Sequence, residues 1–311
     1  MKYVVTGGAG FIGSGLVRAL IDQPDARVEV VDDFSTGRAV NVEEVKDRIV
    51  LHESDIRDYD AMRRVFDGAD VVFHLAAIPS VPRSIQDPVP SHDVNMNGMF
   101  QVFRACADRK VKRVVYASSS SAYGDTPVLP KVESMPPNPK SPYAAQKLMG
   151  EYYASSFHTC YGLDAVSLRY FNVYGPRQDP SSPYSGVISI FMRCVLEGLS
   201  PTIYGDGNHS RDFTYVEDVA ELCIKAARAQ GVGGRVINAG NGNRYTLNDL
   251  WHTLNRIAGT SIAANYGPER AGDVRDSMAD TGLAANLLGH SPRFSLEEGL
   301  RRTIEWYRSN R

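Results

Sequence analysis

The chain has 311 residues, with 34 lysines and arginines against 36 aspartates and glutamates, and 43% of its side chains are hydrophobic. That is enough for one large or two closely joined globular domains, and the near-neutral balance, without a run of like charges, leaves no electrostatic footprint for nucleic acid or an anionic membrane. No apolar run approaches the roughly 18 residues of a membrane span, and the amino terminus enters a strand at once instead of a signal peptide, so a cytoplasmic protein is expected. Cys106, Cys160, Cys194 and Cys223 lie far apart in helix-like segments, with no Cys-x-x-Cys pair and no histidine cluster, and read as reduced core residues with no metal.

In chain order, apolar runs stand at Tyr3 ("YVV"), up to Asp32 ("VEVVD"), at Ile49 ("IVLHE"), Asp70 ("DVVFHLA"), Val111 ("VKRVVYAS") and Leu163 ("LDAVSLRYF"). Helix-period segments lie between them at Phe11 to Ile21, Ala61 to Phe66 and Asn97 to Arg109. The alternation predicts an α/β fold, a Rossmann-type doubly wound parallel sheet, and the short apolar strands fit a sheet covered on both faces. After about Phe171 the pattern turns irregular, before helices near Glu217 to Ala229 and Leu296 to Arg308, and "RVINAG" at Arg235 reads as a strand returning to the sheet. A smaller, discontinuous α/β domain is expected beside the first. The division runs 1–172 with about 214–240 for a dinucleotide, and about 173–213 with 241–311 for a substrate.

"VVTGGAGFIG" sets Gly7, Gly10 and Gly13 directly after the first strand and into the first helix. Glycines there permit a tight turn and close approach of a pyrophosphate, which the helix amino terminus attracts. Asp32 ends the second strand about twenty residues on, where a carboxylate accepts from a ribose diol and repels a 2′-phosphate, so NAD is favoured over NADP. Arg38 reads as a solvated loop charge. Asp55 and Ile56, in "SDIRD", either grip an adenine or simply end the third strand.

"NPKSPYAAQK" offers Ser141 and Pro142 as cap and first residue of a helix running to Tyr161, with Tyr143 in its first turn and Lys147 on the same face. To act as a base near pH 7, a phenol of pKa about 10 must lose about three units, about 4 kcal/mol. The helix end supplies about 1 kcal/mol of that, so neighbouring cations must supply the rest. With "TGGAGFIG", "DIRD", "FHLAA", "VNMNG", "SSSSAYG", "RYFNVYGPRQDP", "GDGNHSRDFTYVEDVA" and "RAGDVRDSMAD", the chain resembles, over almost its whole length, the extended short-chain dehydrogenase/reductase family, closest to its UDP-sugar 4-epimerases.

The resemblance implies transient oxidation of a sugar at C4, rotation of the 4-keto intermediate and re-reduction, with NAD as a bound cofactor. Tyr143 is then the base and later the acid, and Lys147 holds the nicotinamide ribose. Counting back four from Tyr123 selects Ser119 for the hydroxyl at the C4 oxygen, with Ser118 and Ser120 as further sugar contacts. Related dehydratases carry an acid and a base where this chain has Ser120 and Ser121, and hydroxyls cannot perform that elimination. Beyond Gly7, Gly10, Gly13, Asp32, Asp55, Ile56, Tyr143 and Lys147, the implied cofactor set adds Phe11, Ile12, Asp33, Ser35, Gly37, Leu75, Ala76, Ala77, Asn95 and Tyr170.

For the UDP end the resemblance implies Asn172, Arg211 and Arg270 on the diphosphate, Asp273 on the uridine ribose and Tyr204 against uracil, with Val187 beside them. The position that narrows the family's pocket around the C2 substituent is Ser277, small enough for an N-acetyl group. UDP-GlcNAc and UDP-GalNAc are therefore the expected substrates, with UDP-Glc and UDP-Gal as a second pair. Ser80, Arg83 and Ser84, in "SVPRS", resemble a sugar loop or are a solvated one. UDP-glucuronate 4-epimerisation, with Arg83 or the serines on its carboxylate, is the alternative, and a non-catalytic dinucleotide sensor is the reading from another class. The helices from Asn97 and Ser141 resemble those of a four-helix homodimer interface.

Overall fold

The computed structural model describes residues 1–179, 186–269 and 274–310. Seven parallel strands form one sheet: β1 (Lys2–Thr6), β2 (Arg27–Asp32), β3 (Ile49–Glu53), β4 (Val71–His74), β5 (Arg113–Ser119), β6 (Ala165–Tyr170) and β7 (Val236–Ala239). Their order is β7-β6-β5-β4-β1-β2-β3, so the winding reverses between β1 and β4. In such sheets ligands bind in the crevice beyond the carboxyl ends of the strands at the reversal. All seven coincide with the apolar runs of the sequence.

Helices α1 (Phe11–Ile21), α2 (Tyr59–Val65), α3 (Val81–Gln86), α4 (Pro88–His92), α5 (Met99–Asp108), α6 (Pro142–Tyr161), α7 (Val187–Glu197), α8 (Val216–Arg228), α9 (Leu247–Ala258), α10 (Gly282–Leu288) and α11 (Leu296–Ser309) surround the sheet. One face buries Leu16, Val17, Val219 and Leu222 of α1 and α8, joined by Ala284 and Leu288 of α10. The other buries Met62, Val102, Phe103 and Phe157 of α2, α5 and α6. A separate cluster, with Phe191, Trp251, Leu254 and Leu300, is built by α7, α9 and α11.

The structure differs from the sequence reading at several places. β3 is an edge strand with Val50 and Leu51 41% exposed, so the sheet is not covered throughout. The helix expected from Asn97 begins at Met99, after a π-helical turn at Asp93–Gly98. Cys160 is exposed on the last turn of α6, while the other three cysteines are buried. Helices α7 and α9 lie in the stretch read as irregular. The Thr246–Asp249 capping box of α9 was a legible start signal. Among the described residues, no helix is long and apolar enough to cross a membrane.

Candidate active site

The turn between β1 and α1 depends on its glycines. Gly7 has φ +71, and a Cβ there would lie 2.7 Å from the Ala76 backbone, while one on Gly13 would lie 2.1 Å from the Gly7 carbonyl oxygen. Gly10 caps α1 with no side-chain hydrogen bond, so the first-turn N–H groups, including Phe11, Ile12 and Gly13, face outward without a side-chain acceptor. Asp32 is buried at the end of β2, accepting from Ala9 N (2.8 Å) and Phe34 N (2.9 Å). Burial pushes its carboxyl up, and the Phe34 and Ala9 N–H groups oppose that. The following loop folds back on it, since a Cβ on Gly37 would meet Asp32 Oδ1 at 2.6 Å. Asp33 holds Ser35 through its N–H and hydroxyl, and Arg38 stays half-exposed, 3.9 Å from Asp179. An uncapped helix end, a cradle that any Cβ would fill and a carboxylate at the second strand end fit the adenosine diphosphate half of a dinucleotide.

Four other members of the expected cofactor set are already engaged. Arg57 Nε lies 2.9 Å from Asp55 Oδ2, and this guanidinium holds the carboxyl below its usual range, so an adenine would meet an ion pair instead of a free carboxylate. Ile56 is buried against Gly98. Asn95 accepts from Ile78 N (2.8 Å) and donates to Ile78 O and Gln146 Oε1, which makes it a brace under α6 instead of an open contact. Tyr170 turns its ring into the core with its hydroxyl 3.1 Å from Cys223 Sγ, and its backbone lies in the sheet between Ser119 and Ala239.

Leu75, Ala76 and Ala77 follow β4, half-buried, over His74. The His74 Nδ1 lies 2.8 Å from Thr6 Oγ1 in the core, and burial pushes its pKa down to about 3. A depressed folded value means that this stability is present above the unfolded pKa near 6.5 and falls as pH drops, by about 1.4 kcal/mol per unit. His74→Asn should flatten the acid limb of denaturant-derived stability between about pH 6.5 and 4. An unchanged slope would remove His74 from that role.

Tyr143 and Lys147 lie one turn apart at the start of α6, whose cap Ser141 accepts from Ala144 N. The Tyr143 N–H donates to Ser84 Oγ (3.1 Å), so α3 is tied to the tyrosine's own backbone. Ser84 is therefore buried and not a sugar contact. The phenol is pushed up to about 12 by burial, against which a hydrogen bond from Ser119 acts. Lys147 is pushed down to about 8 by burial, donates to Ala117 O (2.9 Å), and sits 6.0 Å from the Tyr143 ring centroid. Thus β5 and α6 bring Ser119, Tyr143 and Lys147 together.

The serine run divides at the end of β5. Ser119, where the strand gives way to the 3-10 turn, lies next to Tyr143. Ser118, the residue before it, is buried against α6 with its hydroxyl on Glu151, two turns further along that helix, which corrects its expected place among the sugar contacts. Glu151 continues the Tyr143–Lys147 stripe by one more turn and pairs with Arg169 (2.7 Å). Ser120 is half-buried in the 3-10 turn Ser120–Tyr123, and among the described residues its hydroxyl has no partner.

On the other side of the crevice, Asn172 donates to Asp212 O (3.0 Å), placing it beside Arg211, which reaches Ser210 O and Arg275 O. Asp212, missed in the sequence, is fully buried and accepts from Ala279, Asn241 and Gly242 N–H groups at 2.8 to 3.0 Å, clamping three segments. Ser277 N donates to Ser210 O (3.1 Å), so this small, buried residue is tied to the backbone that precedes Arg211. Tyr204 stands on the short strand Thr202–Tyr204 paired with Asn265–Gly267, and Val187 opens α7, half-buried. Arg83, on α3, is half-buried with no ion-pair partner among the described residues. Arg270 and Asp273 lie outside the described residues.

The molecule matches proteins of known reaction from end to end. A UDP-N-acetylglucosamine 4-epimerase from Methanobrevibacter ruminantium, solved in complex with UDP-N-acetylmuramic acid, superposes with TM-score 0.95 at 41% identity, covering 100% of this chain and 99% of that one. A UDP-glucuronic acid 4-epimerase from Bacillus cereus, solved with UDP-glucuronic acid and NAD, gives TM-score 0.93 at 33% identity with 100% of both chains covered. The UDP-glucose 4-epimerase of Mycolicibacterium smegmatis is 38% identical over 313 residues, 99% of each chain. A family model spans residues 3–240, from the first strand of the large sheet to its last, and by that match the chain belongs to the NAD dependent epimerase/dehydratase family.

Proposed function

We propose that this protein interconverts UDP-GlcNAc and UDP-GalNAc, with UDP-Glc and UDP-Gal as a second substrate pair. The reaction class is nucleotide-sugar 4-epimerisation with NAD, as in the relatives just described. The sugar is the finer step, and the observation that carries it is Ser277: a small, buried residue bonded through its backbone to Ser210, at the position where, by the family resemblance, a tyrosine would close the space around a C2 substituent. Asn172, Tyr204, Arg211, Arg270 and Asp273 hold the UDP.

Bound NAD would supply the acceptor and donor of the C4 hydrogen and a positive charge. The chain's residues do the rest. Gly7 to Gly13 and Asp32 bind the dinucleotide's phosphates and ribose, and Lys147 steadies the second ribose. Tyr143 takes the proton of the sugar's C4 hydroxyl and returns it at the end of the cycle. Lys147, charged at neutral pH with a value of about 8, lowers the energy of the phenolate across 6.0 Å to its ring. Ser120 offers its hydroxyl to the sugar.

A second reading, UDP-glucuronate as substrate, rests on Arg83: a guanidinium without an ion-pair partner among the described residues, on the helix whose Ser84 is bonded to Tyr143 N, suits a carboxylate. A homodimer belongs to the same proposal, since α5 and α6 expose Phe100, Met149 and Tyr152 to a second copy. Purified protein, its mass read by light scattering, should epimerise UDP-GlcNAc in a panel of UDP-hexoses, N-acetylhexosamines and UDP-glucuronate. Ser277→Tyr should then depress N-acetylhexosamine turnover by about tenfold or more while sparing UDP-Glc. Equal losses for both sugars would show that Ser277 does not bound the C2 pocket. Turnover of UDP-glucuronate alone would transfer the assignment to Arg83.

A further inference from the structure

Ser121 stands where the serine run ends and touches no expected ligand, yet both of its polar groups converge on one atom. Its N–H donates to Ser119 Oγ at 3.2 Å, and its hydroxyl lies 2.9 Å from the same oxygen. A serine hydroxyl has one proton and two acceptor lone pairs. The third neighbour of Ser119 Oγ is the Tyr143 phenol. Once that phenol is ionised it can only accept, so Ser119 must donate to it, and the Ser121 hydroxyl must in turn donate to Ser119.

We infer that Ser121 is a positioning residue that fills both lone pairs of Ser119 and thereby locks it as a donor to the Tyr143 phenolate. The inference rests on the epimerase reading and deepens it. With its lone pairs occupied and its one proton on the Tyr143 oxygen, Ser119 steadies that oxygen in place of the sugar's C4 oxygen, where the resemblance puts it, and the proton of the C4 hydroxyl passes directly to Tyr143. The O–H bond of the C4 hydroxyl breaks and the O–H bond of the Tyr143 phenol forms, with Ser119 keeping its own proton throughout.

The frame that carries Ser121 is fixed from below. The 3-10 turn Ser120–Tyr123 ends on a buried tyrosine whose hydroxyl donates to Asn238 Oδ1 (2.7 Å) and whose ring lies 4.4 Å under the Arg169 guanidinium. The backbone bond from Ser121 N is enough to shape this turn, as in any serine-capped turn. The second, hydroxyl-to-hydroxyl bond is not needed to close the turn, and it bears directly on the Ser119 oxygen.

The test uses the NAD-loaded enzyme and the variants Ser121→Ala and Ser121→Thr. In Ser121→Ala, kcat should fall about tenfold with KM within about twofold, and the acid limb of the kcat profile should move up by about one pH unit, because the phenolate loses a locked donor. Ser121→Thr, which keeps the hydroxyl, should restore both. A titration of Tyr143, read as the absorbance difference between enzyme and the Tyr143→Phe variant, should show the same shift without any turnover, so the inference stands or falls separately from the substrate. An unmoved titration and acid limb in Ser121→Ala would overturn it, as would a loss that Ser121→Thr shares together with a lowered melting temperature.

Discussion

Tyr143→Phe is expected to lower epimerisation by about two to four orders of magnitude, while UDP binding and the melting temperature stay near the parent's. Without ligands the phenol sits at about 12 because burial penalises its charge. Ionising it at neutral pH then takes about five units, about 7 kcal/mol, which no single neighbour supplies. The Ser119 bond is already contained in that value, so the Lys147 ammonium and the amino terminus of α6 each contribute a part, and a bound cation must supply the remainder. All of that stabilisation is directed at one oxygen, and phenylalanine removes that oxygen while keeping the ring. Turnover of the resolved C4 epimers is the measurement, with calorimetric binding of UDP as the control. A rate within about tenfold of the parent would take the base role from Tyr143. A loss of UDP binding together with rate would point to a broken fold.

The seven strands and the glycine turn were legible because each has a local cause: apolar runs of strand length, and glycines whose side-chain space is filled by backbone at Gly7 and Gly13. The juxtaposition of Tyr143 and Lys147 followed from helix geometry, since residues four apart share a face. What could not be read were contacts fixed by tertiary packing. Ser118 and Ser119 are neighbours of one residue type, and only the way α6 packs along the end of β5 decides which one meets Tyr143 and which one Glu151. Asn95 looks like an open amide in the sequence, and it is consumed by Ile78 and Gln146 across two elements. Asp212 follows Arg211 directly, yet its three backbone donors come from residues about 30 and 67 positions away, which no spacing rule anticipates. Helix α7 was missed because Pro176, Pro180, Pro183 and the neighbouring glycines mark the stretch as irregular, although the apolar residues from Val187 on have the helical period.

The buried pair beneath the serine turn should dominate stability. Glu151 and Arg169 are only 2% and 4% exposed in their side chains and meet at 2.7 Å, with a second bond at 2.8 Å and the Ser118 hydroxyl on the same carboxylate. Glu151→Ala leaves the guanidinium charged, dry and without its acceptor, and such an uncompensated buried charge is worth about 3–5 kcal/mol. The same change empties the space under Ser118 and releases Arg169 from its position over Tyr123, the anchor of the turn that carries Ser119 and Ser121. Denaturant unfolding at neutral pH should therefore show a midpoint far below the parent's, and activity should fall even at temperatures where the variant is folded. Removing both charges, as Glu151→Met with Arg169→Met, should be less destabilising than Glu151→Ala, because no lone charge remains to be solvated. If Glu151→Ala lies within about 1 kcal/mol of the parent, the pair is not holding the floor of the site, and Tyr123 with Asn238 must be carrying that part alone.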